Sequence, residues 1–165
     1  MTAIADLDVL LRSLDPAPRP GEYVFVGVPE GETASVPMEA SVREDEGLSL
    51  VVTRQVADLA GWAYSFTAAW ITLRVTSDLS AVGLTAAVAG ALASEGISCN
   101  VIAGVFHDHL LVPVDRRDEA MAVLRRVGDQ ARRNAPGSID ALGGLRDRRG
   151  PGEPGPDFPK PKGRG

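Results

Sequence analysis

This sequence is poor in the residues that most often carry covalent chemistry. It has one cysteine, Cys99, and two histidines, His107 and His109, in 165 residues. A single thiol excludes an intrachain disulfide and fits a reducing compartment. Aromatic residues make up only 5%, so the core must rest on Val, Leu, Ile and Ala, and few platforms exist for stacking bases or sugars. The apolar-rich stretch from Leu79 to Ala93 is interrupted by Gly, Ser and Thr and is too short to span a bilayer. Met1–Leu14 carries Asp6 and Asp8 and no basic leader, unlike a secretory signal. The expectation is a cytoplasmic protein with no membrane partner.

Basic clusters are also lacking. The net charge is −5, and from Leu142 onward six basic residues face three acidic ones, so the tail is +3 and the body −8. An acidic body argues against nucleic acid, because phosphate neutralisation needs grouped Lys and Arg. No Gly-rich loop precedes a Lys-Ser or Lys-Thr pair, and no dinucleotide fingerprint occurs. No cofactor is implied.

What is present reads as alternating strands and helices. Leu7, Leu10, Leu11 and Leu14 fall at helical spacing and are stopped by Pro16, Pro18 and Pro20. Strands are predicted over residues 22–28, 37–43 and 48–53, with Glu44-Asp-Glu-Gly47 as a hairpin turn. A short helix over 55–60 ends at Gly61, and Trp62, Tyr64 and Phe66 share one face of an extended segment, read as a packing strip. Residues 71–76 alternate as a half-buried strand. Ser77-Asp-Leu-Ser80 offers capping residues to a helix whose buried stripe is Leu84, Ala87, Val88, Ala91 and Leu92. Strands over 100–106 and 109–114 flank a turn at His107-Asp108, and Asp115 caps a last helix burying Ala120, Met121, Leu124 and Val127.

The second half thus runs β-α-β-β-α, most of a ferredoxin-like β-α-β-β-α-β plan. Its closing strand is not evident, so the open edge must be completed by the first half or by another subunit. The expected class is α+β, two ferredoxin-like halves with antiparallel sheets and helices on one face. The expected domains are 1–65, 66–133 and a Pro/Gly-rich disordered tail over 134–165.

Ser77-Asp-Leu-Ser-Ala-Val-Gly-Leu-Thr-Ala-Ala87, Gly96-Ile-Ser-Cys-Asn-Val-Ile-Ala-Gly104 and His107-Asp-His-Leu-Leu-Val-Pro-Val114 resemble the ACT domain. Ser13-Leu-Asp-Pro16, Gly21-Glu-Tyr-Val-Phe25 and Arg43-Glu-Asp-Glu-Gly-Leu48 are similar to the companion domain that precedes it in small two-part bacterial proteins and tandem amino-acid sensors. The resemblance implies a ligand-sensing regulatory protein that self-associates or touches a regulated partner, with an amino acid as ligand near the loop after the first strand.

In that loop, Val82, Gly83 and Leu84 open a helix whose backbone N–H groups suit a carboxylate. Asp78 or Asp108 would accept from an ammonium, and Asn100, Val101 and His107 complete the candidate set. Asp78 and Ser80 have an equally simple reading as caps, Gly83 as a packing residue, and Asn100 and Asp108 as turn residues. His107 and His109, at i and i+2, are a conceivable metal pair, but zinc needs a third protein ligand that no cysteine pair or Glu-rich helix supplies. The alternatives are a small thiol- or metal-dependent enzyme using Cys99, His107 and His109, or a purely structural dimer.

Overall fold

The computed structural model describes residues 3–29 and 36–135. The disorder expected for the tail falls outside them, apart from its first two residues. Among the described residues the strands and α-helices run α1 (Leu7–Arg12), β1 (Pro16–Pro29), β2 (Ala40–Glu44), β3 (Gly47–Thr53), α2 (Arg54–Ala60), β4 (Thr67–Leu73), α3 (Leu84–Ser94), β5 (Asn100–Ala103), β6 (Asp108–Pro113) and α4 (Arg117–Arg133), with a 3-10 turn at Val114–Arg116 before α4. One six-stranded sheet, β2-β3-β1-β4-β6-β5, holds every strand among the described residues, and all its pairings are antiparallel.

The closing strand that the second half lacks comes from the first. β1 lies beside β4, with Pro16 opposite Leu73 and Tyr23 opposite Ala68. The run β1-β4-β6-β5 is therefore a complete ferredoxin-like sheet. The run β2-β3-β1-β4 is a second one, in which β4 takes the outer place. Each half borrows the other's first strand as its fourth.

That sharing makes β1 14 residues long, so it begins at Pro16 and not at residue 22. Pro16, Pro18 and Pro20 were expected to end the preceding helix, and they also sit in the strand. Their alternate spacing puts the missing N–H groups along one edge. β3 pairs with β1 only from Tyr23 onward, so among the described residues that edge has no neighbouring strand to leave unsatisfied. The register shifts between Arg19 and Tyr23, where Gly21 takes a φ of 99°.

Alternation along the strands divides the core. Val24, Val26, Val28, Leu50, Val52, Ala69, Ile71, Leu73, Leu110 and Val112 all point to the face that carries the helices. There α1, α3 and α4 bury Leu10, Leu84, Val88, Leu92, Ala120, Met121 and Leu124, while α2 contributes Ala57. The helix ends are locally encoded. Asp6 Oδ1 accepts from the Val9 N–H at 2.9 Å, Thr53 Oγ1 accepts from Val56 at 3.4 Å, and Gly61 and Gly96 adopt positive φ beyond two C-termini.

The opposite face carries Tyr23, Val51, Ala68, Trp70 and Leu111, all buried, although none of the four helices packs there. The sheet curls, and Phe25, Ala40, Phe66 and Ile102 close over the cluster. Arg19 covers one end, its guanidinium 5.3 Å from the Trp70 ring and 5.5 Å from that of Tyr23, paired with Glu39 at 2.8 Å. The strip of Trp62, Tyr64 and Phe66 does not share one face. Trp62 and Tyr64 pack beside α2, whereas Phe66 turns to the other side.

Candidate functional site

At the end of β4 the chain turns through a polar loop into α3, and that loop is pinned from two directions. The backbone of Ile4 bridges it, donating to Thr76 O at 3.0 Å and accepting from the Asp78 N–H at 2.9 Å. Across the sheet end, Ser77 Oγ donates to Asp108 Oδ2 at 2.9 Å, and His107 Nδ1 lies 3.4 Å from Val75 O. The loop is thereby fixed to the β5–β6 turn.

Asp78 does not cap α3. Its Oδ1 accepts from both the N–H and the hydroxyl of Ser80, at 2.8 and 2.6 Å, which holds the carboxyl below its usual range and closes a local turn. The helix begins later, at Leu84, with Gly83 as its N-cap residue and no side chain bonded to its first turn. The first intrahelical bond runs from Ala87 N to Gly83 O. The N–H groups of Leu84, Thr85 and Ala86 therefore have no i−4 partner within the helix.

The candidate residues separate into distinct roles. Val82 is 83% exposed beside the helix start, while the Leu84 side chain is buried in the core, so Leu84 can offer only its backbone. Gly83 sits at φ 102°, and a Cβ there would lie 2.8 Å from Leu7 Cδ2. The positive φ requires a glycine here, and the space over its α-carbon is occupied by α1, so local structure accounts for this residue without a ligand. Asp108 is buried, 8% exposed, and engaged by Ser77. Of the two aspartates, Asp78 is the more exposed.

Asn100 and Val101 lie elsewhere. They begin β5, at the end opposite the turn, and line a cleft between the sheet edges. The same separation bears on the thiol. Cys99 precedes β5, whereas His109 pairs with Ile102, three residues along and roughly 10 Å away at strand spacing. Burial pushes the Cys99 thiol up to about 11, so it remains a neutral, weakly nucleophilic thiol. His109 Nδ1 is 3.1 Å from Thr72 Oγ1, and its ring lies 5.1 Å from that of Trp70, tilted by 52°. Among the described residues no three His, Cys, Asp or Glu side chains converge as a metal site. The geometry thus separates the groups that a thiol enzyme would need together.

Around the loop, Leu79 and Val82, with Val105 and Phe106 of the adjoining turn, are 69–83% exposed. Sequence spacing did not identify Ile4 or Leu7 as parts of this site, because neither is polar and both act from before the first strand.

Comparison with known proteins gives these features a family. The ACT domain matches twice, over residues 2–69 and 65–126. A Vibrio cholerae protein of unknown function, described as a possible transport protein, is 42% identical and superimposes with a TM-score of 0.66, covering 74% of this chain and 95% of that one. An Agrobacterium tumefaciens protein shares the fold at 18% identity and a TM-score of 0.56, over 70% of this chain and 89% of that one. The ligand-free regulatory subunit of Thermus thermophilus aspartate kinase does so at 11% and 0.52, over 68% and 97%. Among curated proteins none matches. The chain belongs to the ACT domain family and carries two such domains in tandem.

Proposed function

We propose that this protein is an amino-acid-responsive regulatory module without catalytic activity, its ligand held at the β4–α3 loop. One observation carries the reading. The first turn of α3 is uncapped, and the half-exposed Asp78 carboxylate is fixed a few residues before it. An α-carboxylate would accept from the free N–H groups of Leu84 and Thr85, where the helix dipole favours an anion. The α-ammonium would donate to Asp78. Asp108 and His107 act indirectly, by holding the loop against the β5–β6 turn.

The Leu79 and Val82 side chains of this loop, and Val105 and Phe106 of the adjoining turn, are exposed. Apolar residues in that arrangement suit a surface completed by another protein, either a second copy or the regulated partner. Ligand bound at such a rim would alter the partner's affinity, and by linkage the partner would alter the ligand's.

A thermal-shift screen of the twenty amino acids tests the proposal, since binding to the native state raises stability by RT ln(1 + [L]/Kd). At least one amino acid should raise the midpoint. Val82→Glu should leave the fold intact, because a carboxylate near a helix start is tolerated, yet weaken that amino acid's binding by roughly tenfold through repulsion of its carboxylate. If no amino acid shifts the midpoint, or if Val82→Glu and Asp78→Asn bind normally, the site is misassigned.

A further inference from the structure

The curl of the sheet brings its two edge strands, β2 and β5, to the sides of one cleft of about 510 Å³. In a flat sheet these strands would be separated by the full width of the other four. The floor is apolar: Phe25, Val51 and Ala40 from the first half and Ile102 from the second continue into the buried cluster around Trp70. Val42, 60% exposed, stands at the mouth. Among the described residues the outward backbone groups of both edge strands have no ladder partner, and the Asn100 side chain adds a polar group on the β5 side.

Among the described residues, Glu44 is the only charged one in the lining. Its Oε2 accepts from Ser49 Oγ, and among the described residues it has no basic partner. Cys99, on the opposite lip, stays a neutral thiol and adds no second charge.

We infer that this cleft is a second binding site, for a small organic monocation with an aromatic or branched apolar body. The volume suits a small molecule, the preformed apolar floor takes its body, and one carboxylate at the mouth fixes its orientation. An anion would face Glu44 with no cation to meet it. A free amino acid would leave its carboxylate unpaired here, so the site is chemically distinct from the β4–α3 loop and does not depend on that assignment. A second copy adding to either edge is the main competing occupant, and the test separates it.

The test is an amide NMR titration of the full chain with phenethylamine, phenethyl alcohol and phenylacetate. Phenethylamine should shift amides of β2, of Ser49–Val51 and of Cys99–Ile102. The alcohol should bind more weakly and phenylacetate not measurably. Glu44→Gln keeps an acceptor for Ser49 and should weaken phenethylamine about tenfold, as loss of a charge-assisted bond does. Val42→Arg, on the same face two residues away, places a cation beside Glu44 and should abolish binding while leaving the remaining spectrum unchanged. Four results would overturn the inference: no shifts at the solubility limit, equal binding of phenylacetate, shifts centred on Asp78–Leu84, or β2 and β5 shifts that follow protein concentration without added amine.

Discussion

Two residues near the sheet end show how little freedom single positions have here. Gly83 combines a φ of 102° with a Leu7 methyl 2.8 Å from where a Cβ would go. Gly83→Ala should therefore cost about 1–3 kcal/mol in urea denaturation, mostly from backbone strain. Adding Leu7→Ala removes the overlap but not the strained dihedral, so the double variant should not regain wild-type stability. Full recovery would mean the overlap, not φ, was the cost. His109 provides a pH signature. Burial first, then the charges of His107 and Arg19, lower its pKa below 6.5, with Asp108 opposing them, so the folded state holds the ring neutral. The unfolded chain takes up the proton first as pH falls, and stability must drop below pH 6.5 until the folded imidazole also titrates. Urea midpoints measured from about pH 7 to 5 should fall for the wild type and fall less steeply for His109→Asn. Equal slopes would show that another group governs the acid limb.

At the scale of elements, β1 is where sequence reasoning was both right and incomplete. The missing closing strand of the second half was legible from the β-α-β-β-α order, and so were α3, β6 and α4, whose apolar periods are regular. The strand that fills the gap was not legible, because three prolines in five residues read as a stop. Only the one-sided pairing of that stretch makes them tolerable, and pairing is a tertiary fact. A polar loop between β4 and α3 was legible for the same reason that its details were missed. Ser77, Asp78 and Ser80 are good capping residues by type, but Asp78 spends its oxygen on Ser80, and the helix starts at an uncapped glycine instead. Contacts made by Ile4 and Leu7 across more than 70 residues leave no mark on local spacing. The prolines have a further consequence. Removing one from the open edge, as in Pro18→Thr, restores a backbone donor where no strand pairs. The variant should keep its stability within about 1 kcal/mol yet self-associate more readily in sedimentation velocity. A variant as monodisperse as the parent would show that the prolines serve the turn into β1 and not the edge.

For the molecule as a whole, reciprocal strand sharing decides how it unfolds. Residues 1–65 and 66–133 are proposed as two domains by their sequence patterns, but neither carries a complete sheet. The first lacks β4 at its outer position, and the second lacks β1. Separating the halves takes Leu10 and Leu14 out of the core built by α3 and α4 and splits Tyr23 and Val51 from Trp70 and Leu111, all nearly fully buried in the intact sheet. At roughly 1.5–3 kcal/mol for each large apolar side chain returned to water, the loss rivals the stability of a small domain. The chain should therefore unfold in one step. Its two tryptophans report on different places: Trp62 packs beside α2 in the first half, and Trp70 lies in the cluster at the centre of the sheet. Trp70→Phe and Trp62→Phe leave one reporter each. In each variant, the remaining tryptophan's fluorescence and the far-UV circular dichroism should give the same urea midpoint and slope. Expressed alone, fragment 66–133 should be unfolded or self-associated, and adding fragment 1–65 should restore the dispersed spectrum of the intact chain. A folded monomer of either fragment, or a Trp62 transition that precedes that of the circular dichroism, would mean that β1 and β4 are neighbours by convenience and that each half closes its own core.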